Sequence, residues 1–256
     1  MICHMGQSVL TDIDLDRTAL LLDIDGTLAP IHDDPDAVVV PDATLELVAE
    51  AQRRCARVGI ITGRSLEMAT SLVPVSGVWI AACHGMHVLD PDGREDIDPI
   101  AQEARPHLDM ALTLARTVGW RHEDKGYAIT LHFRHLATPE LTARQMRAQM
   151  ATVLDPRALT VHDARMALEI RPTGSRTKAD AVRMLADDPA IASCVMIGDD
   201  VTDLDAFAAV NDSASVQGFC VAVSSEEAPA ALAESADIVL PSQGHVAPFL
   251  AELLGP

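Results

Sequence analysis

The sequence is poor in basic and aromatic residues, and each shortage excludes a class of partner. Lys and Arg together number 19 against 38 Asp and Glu, so the formal net charge is −19. Nucleic acids and anionic membrane surfaces are bound by clustered basic side chains, and neither is therefore an expected partner. Aromatic residues make up 3% of the chain, which argues against a base-stacking surface.

Cysteine motifs and long apolar segments are also lacking. The five cysteines are scattered and contain no CxxC pair, which is typical of buried thiols in a reducing compartment. No apolar run reaches the roughly 18 residues that span a bilayer. The first sixteen residues are polar, carry no apolar core of a signal peptide, and are expected to be frayed. We expect a soluble cytoplasmic protein, as a monomer, with an oligomer left open.

Three common catalytic motifs are missing as well. The chain has no Gly-x-x-x-x-Gly-Lys, which excludes a nucleotide-binding P-loop. It has neither His-Glu-x-x-His nor Gly-x-Ser-x-Gly, so the corresponding zinc peptidase and serine hydrolase motifs are absent. An anionic substrate must be attracted by a metal ion or by a few placed cations, because the chain as a whole is acidic.

The most informative segment that is present is an acidic motif after an apolar run. Ala19 to Leu22 is apolar, and Asp23 and Asp25 follow directly, with a glycine and a proline soon after. This pattern predicts a buried strand that ends at the carboxylates. Alternate residues of a strand point the same way, so both carboxylates can face one site. A bound divalent cation is the commonest reason for such a pair.

Strands and helices alternate along much of the chain, which predicts a doubly wound, mainly parallel α/β sheet. Helices are expected between the strands, and the ends of the strands carry Thr62, Arg64 and His84 as well as the first acidic motif. In such sheets the functional site lies at the carboxyl ends of the strands. The predicted strands are 19–22, 58–61, 78–82, 193–197, 219–223 and 238–240.

The pattern changes between residues 104 and 171, where a helix followed by two strands occurs twice. One helix is expected over 100–118 and another over 139–154, each followed by a strand pair. This predicts a small α+β domain with a four-stranded, largely antiparallel sheet and two helices, inserted into the α/β core. The expected core is therefore residues 1–103 and 172–256, and the expected insert is residues 104–171.

A second acidic cluster follows another predicted strand. Asp199, Asp200 and Asp203 come directly after the apolar segment 193–197. Acidic side chains are also favoured at a helix N-terminus, so this cluster alone would be ambiguous. Together with Asp23 and Asp25, it predicts that two strand ends enclose one metal ion.

The order of these motifs resembles that of the haloacid-dehalogenase superfamily of phosphatases, and further matches resemble its trehalose-6-phosphate phosphatase family. The superfamily motifs are Asp23-x-Asp25-Gly-Thr-Leu, Thr62-Gly-Arg64, Lys178 and Gly198-Asp199-Asp200-x-x-Asp203. The family-level matches are Ile61-Thr62-Gly63-Arg64-Ser65, His84-Gly85, Lys125-Gly126, Leu131-His132-Phe133-Arg134 and Glu169-Ile170-Arg171-Pro172.

This resemblance implies a phosphatase that works through an aspartyl-phosphate intermediate. Asp23 would attack the phosphorus atom. Asp25 would protonate the leaving sugar oxygen and then deprotonate the attacking water. Thr62 and Lys178 would hold the phosphoryl oxygens. These four residues are the predicted catalytic set.

The cofactor that the resemblance implies is Mg²⁺, which would offset the repulsion between the nucleophilic carboxylate and the phosphate. The predicted metal ligands are Asp23, the backbone carbonyl of Asp25, Asp199 and Asp200, with Asp203 nearby. The inserted domain would be a cap that closes, excludes water and supplies sugar contacts. The predicted substrate-binding residues are Gly26, Thr27, Gly63, Arg64, His84, Gly85 and Asp203 in the core, and Lys125, Arg134 and Glu169 in the cap.

Two residues depart from the family pattern. His87 stands where an acidic residue is usual, and Leu204 stands where Glu is usual after Asp203. The first departure leaves the identity of the sugar open, and the second concerns helix packing. His87 itself is expected on the surface of a hairpin.

Several functions fit these residues. Trehalose 6-phosphate is the first candidate substrate, and glucosylglycerate, mannosylglycerate or aminocyclitol-linked sugar phosphates are alternatives. A phosphomutase of the same fold would need to protect the aspartyl-phosphate from water. A catalytically idle sugar-phosphate sensor is the third hypothesis, but it would not need the full catalytic set that the sequence contains.

Overall fold

A computed structural model describes residues 13–134, 137–164, 166–226 and 228–255. Most of the segment that was expected to be frayed, including Cys3, lies outside the described residues. The chain forms two compact units, one comprising the chain up to Glu95 and from Thr177 onward, the other comprising Asp96–Arg176. The predicted insert 104–171 falls inside the second unit, which extends further on both sides.

The first part of the core alternates strands and helices. Its apolar strand segments are short, and each ends at a polar or glycine-containing turn. The elements are β1 (Thr18–Leu22), α1 (Asp42–Arg54), β2 (Arg57–Ile61), α2 (Leu66–Leu72), β3 (Trp79–Ala82), β4 (His87–Leu89) and β5 (Glu95–Ile97). Short 3-10 turns occur at Leu15–Arg17, Pro35–Ala37 and Cys83–Gly85.

The second unit contains two repeats of helix, strand and strand, as predicted. The single helix expected over 100–118 is wrong, because two helices form there and meet at Ala104. Pro106 lacks a backbone N–H and is favoured in the first turn of a new helix. The elements are α3 (Pro99–Glu103), α4 (Arg105–Val118), β6 (His122–Asp124), β7 (Ile129–His132), α5 (Pro139–Met150), β8 (Leu159–Ala164) and β9 (Ala167–Pro172).

The chain then returns to the core. The remaining elements are α6 (Lys178–Ala186), β10 (Ser193–Gly198), α7 (Asp203–Asn211), β11 (Gln217–Val223), α8 (Ala230–Glu234), β12 (Ile238–Leu240), a 3-10 turn at Gln243–His245 and α9 (Val246–Leu254). Helix α8 has only five residues and was not predicted from the sequence. Among the described residues, no helix has the length and apolar character to cross a bilayer.

The core sheet has the strand order β12-β11-β10-β1-β2-β3-β4-β5. The strands from β12 to β3 pair in parallel, and β4 is antiparallel to β3. In β1, Leu20 and Leu22 face the helices α1, α2 and α9, whereas Ala19 and Leu21 face α6 and α7. Helices therefore cover both faces, and the predicted doubly wound α/β architecture is confirmed.

The small sheet has the order β6-β7-β9-β8, and all its pairs are antiparallel. One face is apolar and packs on α4 and α5, with Leu131 and Leu168 beside Leu108 and Met146. The strand register places Glu169 on the opposite face, between Thr130 and His162. That face is polar, and α4 and α5 do not cover it.

Candidate active site

Neighbouring parallel strands bring the predicted catalytic residues of the core to one edge of the sheet. Asp23 follows β1, and its backbone N–H donates to the carbonyl of Ile197 in β10 at 3.0 Å. This bond holds Asp23 beside Asp199, which follows β10. Thr62 follows β2 and donates its backbone N–H to the carbonyl of Ala81 in β3, also at 3.0 Å. The site is therefore built on the carboxyl ends of adjacent strands.

Asp23 and Lys178 form a buried ion pair. Lys178 is the first residue of α6, its side chain is 2% exposed, and Nζ lies 3.1 Å from Asp23 Oδ1. Burial raises the pKa of Asp23 well above its ordinary value, although the charge of Lys178 opposes this shift. Burial lowers the pKa of Lys178, but attraction to Asp203 and Asp23 outweighs it, and the resulting pKa is above its ordinary value. The lysine stays a cation beside the predicted nucleophile.

Asp203 connects that lysine to the loop before α7. Its carboxylate is fully buried, and Oδ1 accepts a hydrogen bond from Lys178 Nζ at 2.7 Å. The other oxygen accepts from the backbone N–H groups of Asp199 and Asp200, each at 3.0 Å. The sequence analysis predicted a substrate contact for Asp203, whereas both of its oxygens are bonded to protein groups.

The buried carboxylates form a donor set that suits a metal ion. Ligand atoms of Asp23, Asp199 and Asp203 all lie within 4.8 Å of one another. Three carboxylates against the single ammonium of Lys178 leave excess negative charge, which a hard divalent cation would neutralise. Because Asp203 is engaged by N–H donors, Asp23 and Asp199 are the better candidates for ligands. Gly26 has a φ of +77°, and a Cβ there would lie 1.9 Å from Asp199 Oδ2, so only glycine fits.

Asp200, the other predicted carboxylate ligand, lies next to this cluster. Its side chain is half-buried, and Oδ1 accepts a hydrogen bond from the backbone N–H of Val201 at 2.7 Å. Its own backbone N–H binds Asp203, as described above. The structure therefore places Asp200 beside the three clustered carboxylates but does not include it among them.

The Thr62 loop is held against a strained turn. The backbone N–H of His84 donates to the carbonyl of Thr62, and that of Cys83 donates to the carbonyl of Arg64, both at 2.8 Å. Cys83 and His84 have φ values of 47° and 60°, which are unfavourable for non-glycine residues. The His84 ring covers Gly63, where a Cβ would lie 2.6 Å from the imidazole. His84 is buried and shapes this loop.

Two further predicted residues, Gly85 and Thr27, lie in the walls of the site. Gly85 has a φ of +101°, and a Cβ there would lie 2.8 Å from the carbonyl oxygen of Thr177, so this glycine lets the turn approach the start of α6. Thr27 is fully buried, and its hydroxyl has no hydrogen-bond partner within the described ranges. Such a hydroxyl can serve a bound phosphoryl group or an ordered water.

The predicted acid–base residue, Asp25, is paired with Arg64. Arg64 Nε donates to Asp25 Oδ2 and Nη2 donates to Oδ1, both at 2.7 Å. Arg64 Nη1 donates to the carbonyl of Pro35 at 3.0 Å. The Arg64 side chain is 8% exposed, whereas that of Asp25 is 37% exposed. The sequence analysis predicted that Arg64 binds substrate, but the structure places its guanidinium on a carboxylate of the protein.

The second unit contains its own buried ionic cluster on the polar face of the small sheet. Glu169 is 2% exposed, and its Oε1 lies 2.8 Å from Lys125 Nζ. Arg171 Nε donates to Glu169 Oε2 at 2.6 Å. The neighbouring Thr130 is buried, with a hydroxyl that has no partner among the residues described. Lys125 and Glu169, both predicted to bind substrate, thus lie together, and Arg134 follows β7 in a half-buried position.

Sequence reasoning missed two charged residues. Arg171 stands in a motif that was noted, but no role was given to it. Glu95 was not considered, although its Oε2 lies 2.6 Å from His87 Nε2 across the β4–β5 hairpin. His87 lies in β4 of this hairpin, and its side chain is half-buried, at 15% exposure. Strand pairing, predicted in more detail, could have located Glu95.

Comparison with known proteins identifies the family. The sequence profile described as trehalose-phosphatase matches residues 21–240. The chain belongs to the trehalose-phosphatase family. It is therefore a phosphoric monoester hydrolase, as predicted, and its substrate is a sugar phosphate.

Individual relatives agree with this assignment. A probable trehalose-phosphate phosphatase from Sinorhizobium fredii is 34% identical over 215 residues, which cover 81% of this chain and 80% of the relative. The trehalose-phosphate phosphatase of Mycobacterium tuberculosis is 31% identical over 201 residues, covering 75% of this chain. The chain spans only about half of that mycobacterial relative (51%).

Solved structures support the fold. The C-terminal domain of the Candida albicans trehalose-6-phosphate phosphatase matches with a TM-score of 0.78 at 22% identity, covering 100% of this chain and 98% of that one. Haloacid-dehalogenase-like hydrolases are also among the matching structures, which confirms the predicted superfamily fold. At such identities these matches concern the fold alone.

Proposed function

We propose that this protein hydrolyses trehalose 6-phosphate to trehalose and phosphate, with Mg²⁺ as cofactor and an aspartyl-phosphate as intermediate. The observation that supports this most directly is the buried Asp23 carboxylate, 3.1 Å from the Lys178 ammonium and beside Asp199. Membership of the trehalose-phosphatase family and the names of the relatives support the choice of substrate.

The proposed reaction has two steps. Asp23 attacks phosphorus while Asp25 gives its proton to the leaving sugar oxygen, so that the P–O bond to the sugar breaks. Water then attacks the aspartyl-phosphate as Asp25 takes up a proton, which releases phosphate and regenerates Asp23. Lys178 and Thr62 hold phosphoryl oxygens in both steps. Lys178 suits this role because its ammonium is fixed next to the nucleophile.

The donor set described above fits Mg²⁺. Asp23 and Asp199 would hold the ion through carboxylate oxygens, with Asp200 and the backbone carbonyl of Asp25 as the other proposed ligands. When bound, it would supply positive charge that offsets the repulsion between Asp23 and the phosphate dianion. A hard oxygen donor set is what this cation prefers.

We propose that the second unit is the cap and that it contributes to recognition of the sugar. Lys125 and Glu169 supply a cation and a carboxylate on a polar sheet face. The hydroxyl of Thr130, which has no partner in the part of the chain that the structure describes, lies opposite Glu169 in the strand register. A neutral disaccharide is recognised by hydrogen bonds to its hydroxyl groups, which such side chains can make. Arg134 is the further proposed contact.

A related disaccharide or pseudo-disaccharide phosphate is the second candidate substrate, and His87 is the reason to retain it. The carboxylate of Glu95 next to His87 shows that an acidic group remains near this departure from the family pattern. The glycerate and aminocyclitol compounds named above are therefore part of the test.

The test measures phosphate release from a panel of sugar phosphates, with Mg²⁺ and with the metal removed by a chelator. We expect trehalose 6-phosphate to be cleaved fastest and only with Mg²⁺. Asp23→Asn should abolish turnover without unfolding the protein, whereas Asp36→Asn on the surface should leave it unchanged. If another compound is cleaved fastest, that compound replaces trehalose 6-phosphate as the proposed substrate. Full activity of Asp23→Asn would refute the mechanism. Phosphate release without a bisphosphorylated activator would exclude the phosphomutase alternative.

A further inference from the structure

We infer that Arg64 is a positioning residue for Asp25, which orients the acid–base carboxylate toward the leaving oxygen, and that it does not bind substrate. This inference rests on the proposed function, because it assigns a partner to the proposed proton donor. It differs from the expectation of the sequence analysis, in which Arg64 contacts the substrate.

The geometry of the pair is bidentate. Two guanidinium nitrogens of Arg64 each donate to a different oxygen of Asp25 at 2.7 Å, so rotation of the carboxylate is restrained. The third nitrogen donates to the carbonyl of Pro35 at 3.0 Å, which holds the far side of the guanidinium.

The backbone of Arg64 is fixed as well. Its N–H donates to Thr62 Oγ1 at 3.2 Å, and its carbonyl accepts from Cys83 at 2.8 Å. The same loop thus fixes Thr62, a proposed phosphoryl contact, and the arginine that holds Asp25. The turn at Cys83 and His84, which fixes this loop, has a strained backbone, and such strain persists only where the surrounding structure determines the conformation.

The exposures of the two side chains suit different roles. The guanidinium is almost fully buried, whereas the Asp25 carboxylate remains 37% exposed. A carboxylate has about four lone-pair directions, and the guanidinium occupies one on each oxygen. The opposite edge of Asp25 is left for the proton that passes to the leaving oxygen and that water later restores. Arg64 itself neither gains nor loses a proton in this sequence.

The leaving group distinguishes positioning from substrate binding. A sugar alkoxide is a poor leaving group and needs protonation, whereas p-nitrophenolate leaves with little help. A residue that only orients the proton donor should affect kcat/KM for the sugar phosphate and hardly affect kcat/KM for p-nitrophenyl phosphate. A residue that binds the phosphoryl group should affect both substrates, because both carry that group.

The experiment compares Arg64→Met with the parent enzyme on p-nitrophenyl phosphate and on the sugar phosphate that is cleaved fastest. We expect kcat/KM to fall about 100-fold for the sugar phosphate, in the range that general acid catalysis supplies, and less than about fivefold for the aryl phosphate. Asp25→Asn should show the same selective loss, and the double variant should lose little more than Asp25→Asn alone, because the two residues act as one unit.

Two further variants complete the test. Arg64→Lys keeps the charge but not the two-pronged contact, and we expect a selective loss of about tenfold for the sugar phosphate, a result that also serves if Arg64→Met does not fold. Arg57→Met removes a 2.7 Å pair with Asp188 at the other end of β2 and should leave both substrates unaffected.

Equal losses on both substrates, or multiplicative effects of the Arg64 and Asp25 substitutions, would overturn the inference while leaving the proposed function standing. If the parent enzyme hydrolyses no sugar phosphate, the proposed function fails and this inference fails with it.

Discussion

Replacement of Asp203 by alanine should destabilise the core severely. The substitution removes three hydrogen bonds to one buried carboxylate, from Lys178 at 2.7 Å and from the N–H groups of Asp199 and Asp200 at 3.0 Å each. Among the described residues, it leaves the buried ammonium with Asp23, 3.1 Å away, as its remaining ion-pair partner. Relief of the repulsion between Asp203 and Asp23 works in the opposite direction.

The loss of these bonds should outweigh the relief of repulsion, because removing one member of a buried ion pair typically costs about 3–5 kcal/mol of stability. A domain of this size loses about 2–4 °C of melting temperature per kcal/mol, so we expect a decrease of roughly 6–20 °C. Urea unfolding followed by circular dichroism gives the free energy directly.

Asp205→Ala, an exposed position in the same helix, is the control and should change stability by less than about 0.5 kcal/mol. A cost below about 1 kcal/mol for Asp203→Ala would show that repulsion among the carboxylates cancels its bonds, and the assignment as a structural anchor would be wrong.

Three further predictions test separate parts of the structure. Mg²⁺ should raise the melting temperature of the parent protein, and Asp199→Asn should abolish that rise. Asp203→Asn should retain the rise, but the Mg²⁺ concentration at the midpoint of the titration should shift about 10- to 100-fold, as expected for a residue that supports a ligand. Loss of the rise in both variants would make Asp203 a ligand too. Gly26→Ala should displace the Asp199 carboxylate and reduce activity at least about 100-fold. Gly93 has a similar φ of +79° but open space around it, so Gly93→Ala should leave activity intact. Equal effects of the two substitutions on activity would contradict the steric argument. Glu169→Gln should lower the free energy of unfolding of the second unit by about 3–5 kcal/mol, because Lys125 and Arg171 lose the anion between them. An unchanged urea concentration at the midpoint of unfolding would mean that these ions are well hydrated.

Much of the core could be predicted because its strands carry a strong local signal. Apolar segments such as 19–22 and 193–197 end abruptly at carboxylates, and parallel strands present their carboxyl ends at one edge. Helix limits were less certain where proline decides them. Pro106 divides the helix expected over 100–118 into two, since proline in a first turn favours a new start over continuation.

The partners of charged residues could not be predicted in the same way. Sequence spacing places Arg64 and Asp25 at neighbouring strand ends, but it does not say whether a guanidinium points to the substrate or to a carboxylate of the protein. The same is true of Asp203, whose oxygens face Lys178 and two backbone N–H groups. These choices depend on side-chain directions over a few ångströms, and burial decides them, because an unpaired charge is costly away from water.

Pairing within the site also explains why so many charges can lie close together. Asp203 neutralises part of the charge of Lys178 and positions it against Asp23, while Arg64 neutralises Asp25 from the protein side. The two carboxylates therefore have different partners, a lysine for Asp23, the proposed nucleophile, and an arginine for Asp25, the proposed proton donor. A carboxylate oxygen of Asp199 lies within 4.8 Å of ligand atoms of Asp23 and Asp203, at the point where Gly26 allows close approach. A metal ion held by Asp199 and Asp23 would offset the excess negative charge of this cluster.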